Sequence, residues 1–126
     1  MAAQIRTVQL GSPRQAREGI RIGTVRFLPR GVPRSEYSKR DLFDVWLPIL
    51  APSRELLKAF LAGKLSPVKF FQRYRREMAA PDARQVIELL AMMARRTPLS
   101  VGCYCDDESR CHRSALGKLI REAAGK

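Results

Sequence analysis

The segment 103–113, with the sequence CYCDDESRCHR, contains all three cysteines and the only histidine of the chain. A thiol can act as a nucleophile, an imidazole can carry a proton near neutral pH, and a guanidinium can hold a phosphate. The segment is predicted to run from a buried strand through a loop into a helix, whose first N–H groups attract anions. We therefore expect a functional site here.

Three side chains of this segment are candidates for catalysis. We predict His112 as the proton donor or acceptor, with Cys105 and Cys111 lining the site. Near a helix start, the helix dipole and neighbouring cations favour the thiolate form of a cysteine. The sequence does not decide between an enzyme and a binding protein, and it indicates no particular cofactor.

Arginines are the predicted anion ligands. Arg113 belongs to the segment itself, while Arg26 and Arg30 flank the exit of a predicted strand. If that strand runs parallel to 99–105, both exits lie at the same edge of the sheet. An anionic, phosphate-bearing small molecule is therefore the class of ligand that we predict.

A structural zinc site is one alternative for the same residues. Cys105, Cys111 and His112 could supply three of the four ligands that zinc takes. The fourth would be Cys103, Asp106 or Glu108. The spacing C-x-C-x5-C-H lacks the paired C-x2-C of zinc knuckles, so we assign no metal.

Two further interpretations stay open. A strand, a cysteine, a loop and an arginine before a helix resemble the phosphatase and rhodanese loops. Here the loop from Cys105 to Arg110 is one residue short, lacks glycine and carries three acidic residues that would repel a phosphate. Alternatively, Cys103 and Cys105 are small core residues of a buried strand, because free cysteines are commonly buried.

The periodicity of apolar residues outlines the elements that must position these groups. The predicted strands are 5–10, 20–27 and 99–105, and 41–50 is a short strand or a buried extended segment. Predicted helices start at Ser53, Ser66-Pro67 and Pro81 and, for the last one, span about 110–122. Because 99–105 is apolar throughout, we expect it to be the central strand.

Length and composition narrow the class of protein. With 126 residues and 45% hydrophobic residues, the chain is predicted to form one domain over 1–126. Strands at both ends with helices between them predict an α/β fold, a three-layer sandwich with a small, mostly parallel sheet flanked by helices. Three cysteines make a disulfide framework unexpected, and no signal peptide or membrane span is visible. We expect a cytoplasmic protein.

The order of several motifs resembles the YeaO-like proteins, domain-of-unknown-function family 488. The matching pieces are IRTVQLGSPR, RIGTVRFLPRG, the stretch from Trp46 to Leu56, the helix with Phe71, Tyr74 and Glu77, and CHR at 111–113. The resemblance covers about residues 4–122 and implies a compact, cytoplasmic, bacterial or archaeal α/β domain. It supplies no activity. Some members lack the cysteines but keep a histidine at the last helix, which points to His112 and the arginines.

A second class of partner follows from charge. Lys and Arg number 24 and Asp and Glu 12, so the net charge is +12. Nucleic acid is therefore the alternative partner, although no known nucleic-acid-binding motif is present.

If the charge binds DNA or RNA, affinity falls steeply with salt, with a log–log slope of about −0.9 for each phosphate neutralised. A gel-retardation series over salt concentration measures that slope. Absence of retardation at low salt would leave the charge without a role in nucleic-acid binding.

Overall fold

The structure is a computed structural model that describes residues 3–125. Within these residues the strands are β1 (Ile5–Gln9), β2 (Ile20–Gly23), β3 (Val45–Trp46) and β4 (Leu99–Cys103). The α-helices are α1 (Arg54–Leu61), α2 (Pro67–Met78), α3 (Pro81–Ala94) and α4 (His112–Ala124). Short 3₁₀ turns occupy Arg34–Glu36, Pro48–Leu50 and Glu108–Arg110.

The strands form a parallel sheet in the order β1-β4-β2-β3. β4 lies inside the sheet between β1 and β2, and all five of its residues are buried. The predicted α/β class and the central place of 99–105 are therefore confirmed. β4 ends at Cys103 and β2 at Gly23, both earlier than predicted. After the end of β2, the Val25 carbonyl accepts a hydrogen bond from the Trp46 side chain, with Nε1 at 2.8 Å.

The helices begin where short polar side chains can cap them. The hydroxyl oxygen of Ser53 accepts from the Leu56 N–H, and that of Ser66 accepts from the Lys69 N–H. The last helix begins at His112, later than predicted, because Glu108–Arg110 forms a separate 3₁₀ turn. Among residues 3–125, none of the helices has the length and apolar character that crossing a membrane requires.

The larger core lies between the helices and one face of the sheet. α4 packs directly on β1 and β4, and α2 and α3 pack on α4. Its buried side chains include Ile5, Leu99 and Val101 from the strands and Leu56, Tyr74, Leu90, Leu116 and Ile120 from the helices. Each fully buried large apolar side chain contributes about 1.5–3 kcal/mol, so this core supplies most of the hydrophobic stabilisation.

Loops cover the opposite face of the sheet. A smaller core there joins Leu10, Val25, Tyr37, Phe43, Cys103 and Cys111. The loops approach so closely that a Cβ on Gly23 would lie 2.5 Å from the Phe43 ring, and one on Gly102 would lie 2.6 Å from Leu10. This layer of the sandwich therefore consists mainly of loops.

A buried ion pair fastens this loop layer. Arg21 of β2 is fully buried, and its guanidinium donates to both carboxylate oxygens of Glu18 at 2.8 and 2.9 Å. It also donates to the carbonyls of Ser12 and Asp41 at 2.8 and 2.5 Å. The Arg21 side chain thus binds two separate loops to the sheet, and the Glu18 carboxylate compensates its charge.

Removing the charge of Glu18 would leave the Arg21 guanidinium buried without a counter-ion. We predict that Glu18→Gln lowers the free energy of unfolding by about 3 kcal/mol. The matched control is Glu88→Gln, which breaks the exposed Arg84–Glu88 pair and costs less than about 1 kcal/mol. Urea unfolding followed by circular dichroism compares the two variants, and equal losses would contradict the prediction.

Candidate functional site

The candidate site lies where the central strand ends and the last helix begins. Cys103 is the final residue of β4, and Cys111 is the N-cap residue of α4. The intervening loop 104–110 is exposed, whereas Cys111, His112 and Arg113 are buried. The chemistry-bearing side chains therefore gather at the carboxyl edge of a parallel sheet, where α/β proteins place their ligands.

Cys103 and Cys111 are joined as a disulfide. Both residues are buried, with exposed fractions of 2% and 1%, and their Cα atoms are 7.6 Å apart. A low cysteine count had predicted no disulfide framework, and this single pair was not expected. It arises because the fold brings the end of β4 against the start of α4, a proximity that the spacing of eight residues does not reveal.

His112 is held in one orientation by the loop that follows β2. Its Nε2 atom lies 2.7 Å from the Thr24 carbonyl and 3.2 Å from the Thr24 hydroxyl. A carbonyl oxygen only accepts, so Nε2 carries the proton. Nδ1 is left with its lone pair and lies 3.9 Å from the sulfur of Cys111. The Tyr74 ring packs edge-on against the imidazole, with the ring centroids 5.3 Å apart.

The imidazole is neutral over the physiological pH range. Burial lowers the pKa of His112 to about 4, the Thr24 carbonyl opposes that change, and the nearby charge of Arg113 lowers the pKa further. A neutral imidazole can accept a proton or bind a metal through Nδ1, whereas an imidazolium can do neither.

Arg113 is buried beside the cysteine pair. Its Nη1 atom donates to the Cys105 carbonyl at 2.6 Å and lies 3.5 Å from the sulfur of Cys103. Its Nε atom has no hydrogen-bond partner, and no carboxylate of residues 3–125 forms an ion pair with it. The guanidinium is therefore largely buried without a direct ion pair among residues 3–125, and the exposed Asp107 carboxylate acts on it only at longer range.

Cys105 is the exposed free cysteine of the site. It lines an open depression of about 690 Å³ together with Phe60, Leu61, Asp106, Asp107 and Arg110. Arg110 lies over the Phe60 ring, 5.9 Å from its centroid, and a hydrogen bond from Ser109 lowers the pKa of Asp107. The depression therefore carries both signs of charge at its surface.

The structure gathers some of the predicted residues and separates others. Cys111, His112 and Arg113 form one buried group, and Cys105 lies on the adjacent surface. Arg26 instead donates to the carbonyls of Ala51 and Pro52 at 3.2 and 3.1 Å. Arg30 is exposed and forms no ion pair within residues 3–125.

Two residues that contact the candidate site are not predicted from the sequence. Thr24, which orients His112, had been assigned to a strand, and its only signal was its position near a predicted strand exit. Cys103 had been considered only as a fourth metal ligand or a core residue, although it is bonded to Cys111. Together the group offers a dithiol or disulfide, a neutral imidazole and a buried cation, which suit thiol chemistry, metal binding or anion binding.

Comparison with known proteins identifies relatives over most of the chain. The family DUF488-N3a, described as the active DUF488-N3 subclade, matches residues 5–124. Uncharacterized protein YeaO of Escherichia coli (strain K12) is 28% identical over 109 residues, which is 86% of this chain and 90% of that protein. No solved structure matches the chain. The resemblance drawn from the sequence motifs is confirmed.

The pKa of His112 generates a testable dependence of stability on pH. Between about pH 4 and 6.5 the unfolded chain binds a proton at His112 that the folded chain does not bind. Stability therefore falls as the pH is lowered through this window, by on the order of 3 kcal/mol in total.

Urea unfolding at a series of pH values measures this slope. His112→Gln, which keeps a donor for the Thr24 carbonyl, is the matched variant and loses the dependence, because the chain has one histidine. Asp44, whose pKa is lowered to about 2, acts only in a more acidic window. An unchanged slope in the variant would show that another group is responsible.

Proposed function

The chain belongs to the DUF488-N3a family, a family of unknown function, and on that premise we propose that it binds and acts on a small anionic, phosphate-bearing ligand at the 103–113 site. The observation that carries this proposal is the state of Arg113, a buried guanidinium without a carboxylate partner among residues 3–125.

Burying a charge without a partner costs several kcal/mol of folding free energy. A negative group bound next to the guanidinium offsets that cost. Only 4% of Arg113 is exposed, and Nε has an unused N–H. In the disulfide state neither Cys103 nor Cys111 carries a negative charge that could balance it. We therefore infer that a bound ligand supplies the negative charge.

The surroundings of Arg113 support the same class of ligand. It lies in the first turn of α4, where the helix dipole and free backbone N–H groups add positive potential. The Cys105 carbonyl that it binds belongs to a residue lining the open depression, so the guanidinium lies behind the loop that forms this surface. Arg110 at the depression is a second cation, and it lies beside the carboxylates of Asp106 and Asp107, which oppose an anion there.

The remaining groups supply roles for chemistry on that ligand. Nδ1 of His112 is a proton acceptor, and the thiol of Cys105 is the nucleophile that solvent can reach. The description of the family calls this subclade active and names no reaction. This proposal does not include Arg26, because its guanidinium donates to the Ala51 and Pro52 carbonyls. It does not include Arg30, because that side chain is exposed and has no hydrogen bond to Cys111, His112 or Arg113.

Thermal unfolding with inorganic phosphate and pyrophosphate, against chloride at equal ionic strength, tests the proposal. We expect a specific stabilisation of the wild type that reaches about 2.7 kcal/mol at a hundredfold excess over the Kd. Arg113→Met keeps the volume, removes the charge and abolishes the stabilisation.

Arg121→Met is the matched control, because Arg121 lies on the same helix and donates to the Ile5 carbonyl away from the site. It keeps the response to phosphate. The ligand-free Arg113→Met protein is not destabilised, since the substitution removes an unpaired buried charge. The proposal would be refuted if neither phosphate nor pyrophosphate stabilised the wild type, or if Arg113→Met were stabilised as much as the wild type.

A further inference from the structure

The buried cysteine pair and His112 have the composition of a soft-metal site once the disulfide is reduced. We propose that reduced Cys103 and Cys111, with Nδ1 of His112, bind one zinc ion, and that the disulfide is the metal-free state of the same site. This inference goes beyond anion binding and does not depend on it, because metal binding is measured without any anionic ligand.

The first support is the proximity of the ligand atoms. One atom each from Cys103, Cys111 and His112 lie within 4.8 Å of one another, and all three residues are buried. In a tetrahedral site the ligand atoms of zinc lie ~3.5–3.8 Å apart, given bonds of about 2.3 Å to sulfur and 2.1 Å to nitrogen. The distance of 3.9 Å between Nδ1 of His112 and the sulfur of Cys111 is already close to that spacing.

The second support is the hydrogen bond behind the imidazole. A histidine that binds a metal through one nitrogen almost always donates its other N–H to a carbonyl or carboxylate. His112 donates Nε2–H to the Thr24 carbonyl at 2.7 Å, and this leaves Nδ1 unprotonated on the side of the Cys111 sulfur. The tautomer and the ring orientation that a metal needs are therefore already present.

The third support is the spacing of the backbone. The Cα atoms of Cys103 and Cys111 are 7.6 Å apart, whereas disulfides usually hold Cα atoms about 4.4–6.8 Å apart. Two thiolates on a shared ion accept a wider separation, because the ion lies between the sulfurs. Arg113 adds an N–H donor 3.5 Å from the Cys103 sulfur, which stabilises that sulfur as a thiolate.

The change between the two states balances with a thiol reductant. Two small thiols donate two electrons and two protons to the disulfide, leave as their own disulfide, and convert Cys103 and Cys111 to thiols. Zinc then displaces one proton from each thiol, so one ion binds and two protons are released. Three protein ligands leave the fourth position open, as in catalytic zinc sites.

Metal titration of the whole chain, reduced under anaerobic conditions, tests the inference. We expect one zinc ion per chain and two protons released per ion. Co²⁺ used as a probe gives thiolate-to-metal charge-transfer absorption with the intensity of two thiolates. The same chain oxidised to the disulfide binds neither ion, which controls for surface carboxylates without any substitution.

Variants identify the ligands. Cys105→Ser is the matched control and keeps the stoichiometry and the absorption, because Cys105 lies outside the ligand group. Cys103→Ser and Cys111→Ser each lose at least half of the absorption and weaken zinc binding at least tenfold. Circular dichroism confirms that each variant is folded.

Nitrogen-15 NMR tests the histidine in the unsubstituted chain, where the single imidazole needs no assignment. On addition of zinc the Nδ1 resonance shifts, while Nε2 stays protonated. Equal zinc binding by the oxidised chain, loss of binding in Cys105→Ser, or an unchanged Nδ1 resonance would each overturn the inference. Failure of the phosphate experiment would leave it intact.

Discussion

The buried guanidinium of Arg21 is the constraint on which the second face of the sheet depends. A fully desolvated charge must have its hydrogen bonds satisfied, and here Glu18 and the carbonyls of Ser12 and Asp41 satisfy them. Those partners belong to two loops, so one side chain fixes the loop layer that takes the place of helices on this face. Leu10 and Phe43 of the same layer pack in one core with Cys103 and Cys111. The environment of the cysteine pair therefore rests on the Arg21 contacts.

Arg21 and Arg113 are both buried, but the groups around their guanidinium atoms differ. Both guanidinium groups are buried, but Arg21 has a carboxylate and two carbonyls around it, whereas Arg113 has one carbonyl, a sulfur and an unused Nε. Burial without compensation is unfavourable and adds nothing to stability by itself. In the two proposals, the positive potential of Arg113 attracts an anionic ligand when the cysteines are oxidised and stabilises a Cys103 thiolate when they are reduced.

His112 connects this electrostatic arrangement to the packing of the helices. The Tyr74 ring holds one edge of the imidazole, and the Thr24 carbonyl fixes its proton on Nε2. Burial keeps the ring neutral, so its free nitrogen stays available to a proton or a metal near neutral pH. Thr24 follows β2, Tyr74 belongs to α2, and His112 begins α4. The position of Nδ1 therefore depends on the packing of the helix layer against the sheet.

Local patterns in the sequence were sufficient for the elements and their order. Ser53 and Ser66 begin helices because their hydroxyls cap free N–H groups, and the apolar run at 99–105 becomes the central strand because both its faces are covered. The crowding of cysteine, histidine and arginine at 103–113 also located the candidate site. Only the tertiary structure could decide which of these side chains meet. Cys103 pairs with Cys111, Thr24 orients His112 across 88 positions, and Arg26 binds carbonyls elsewhere. Such contacts depend on strand order and loop paths, which bring distant residues together, and periodicity along the chain carries no information about either.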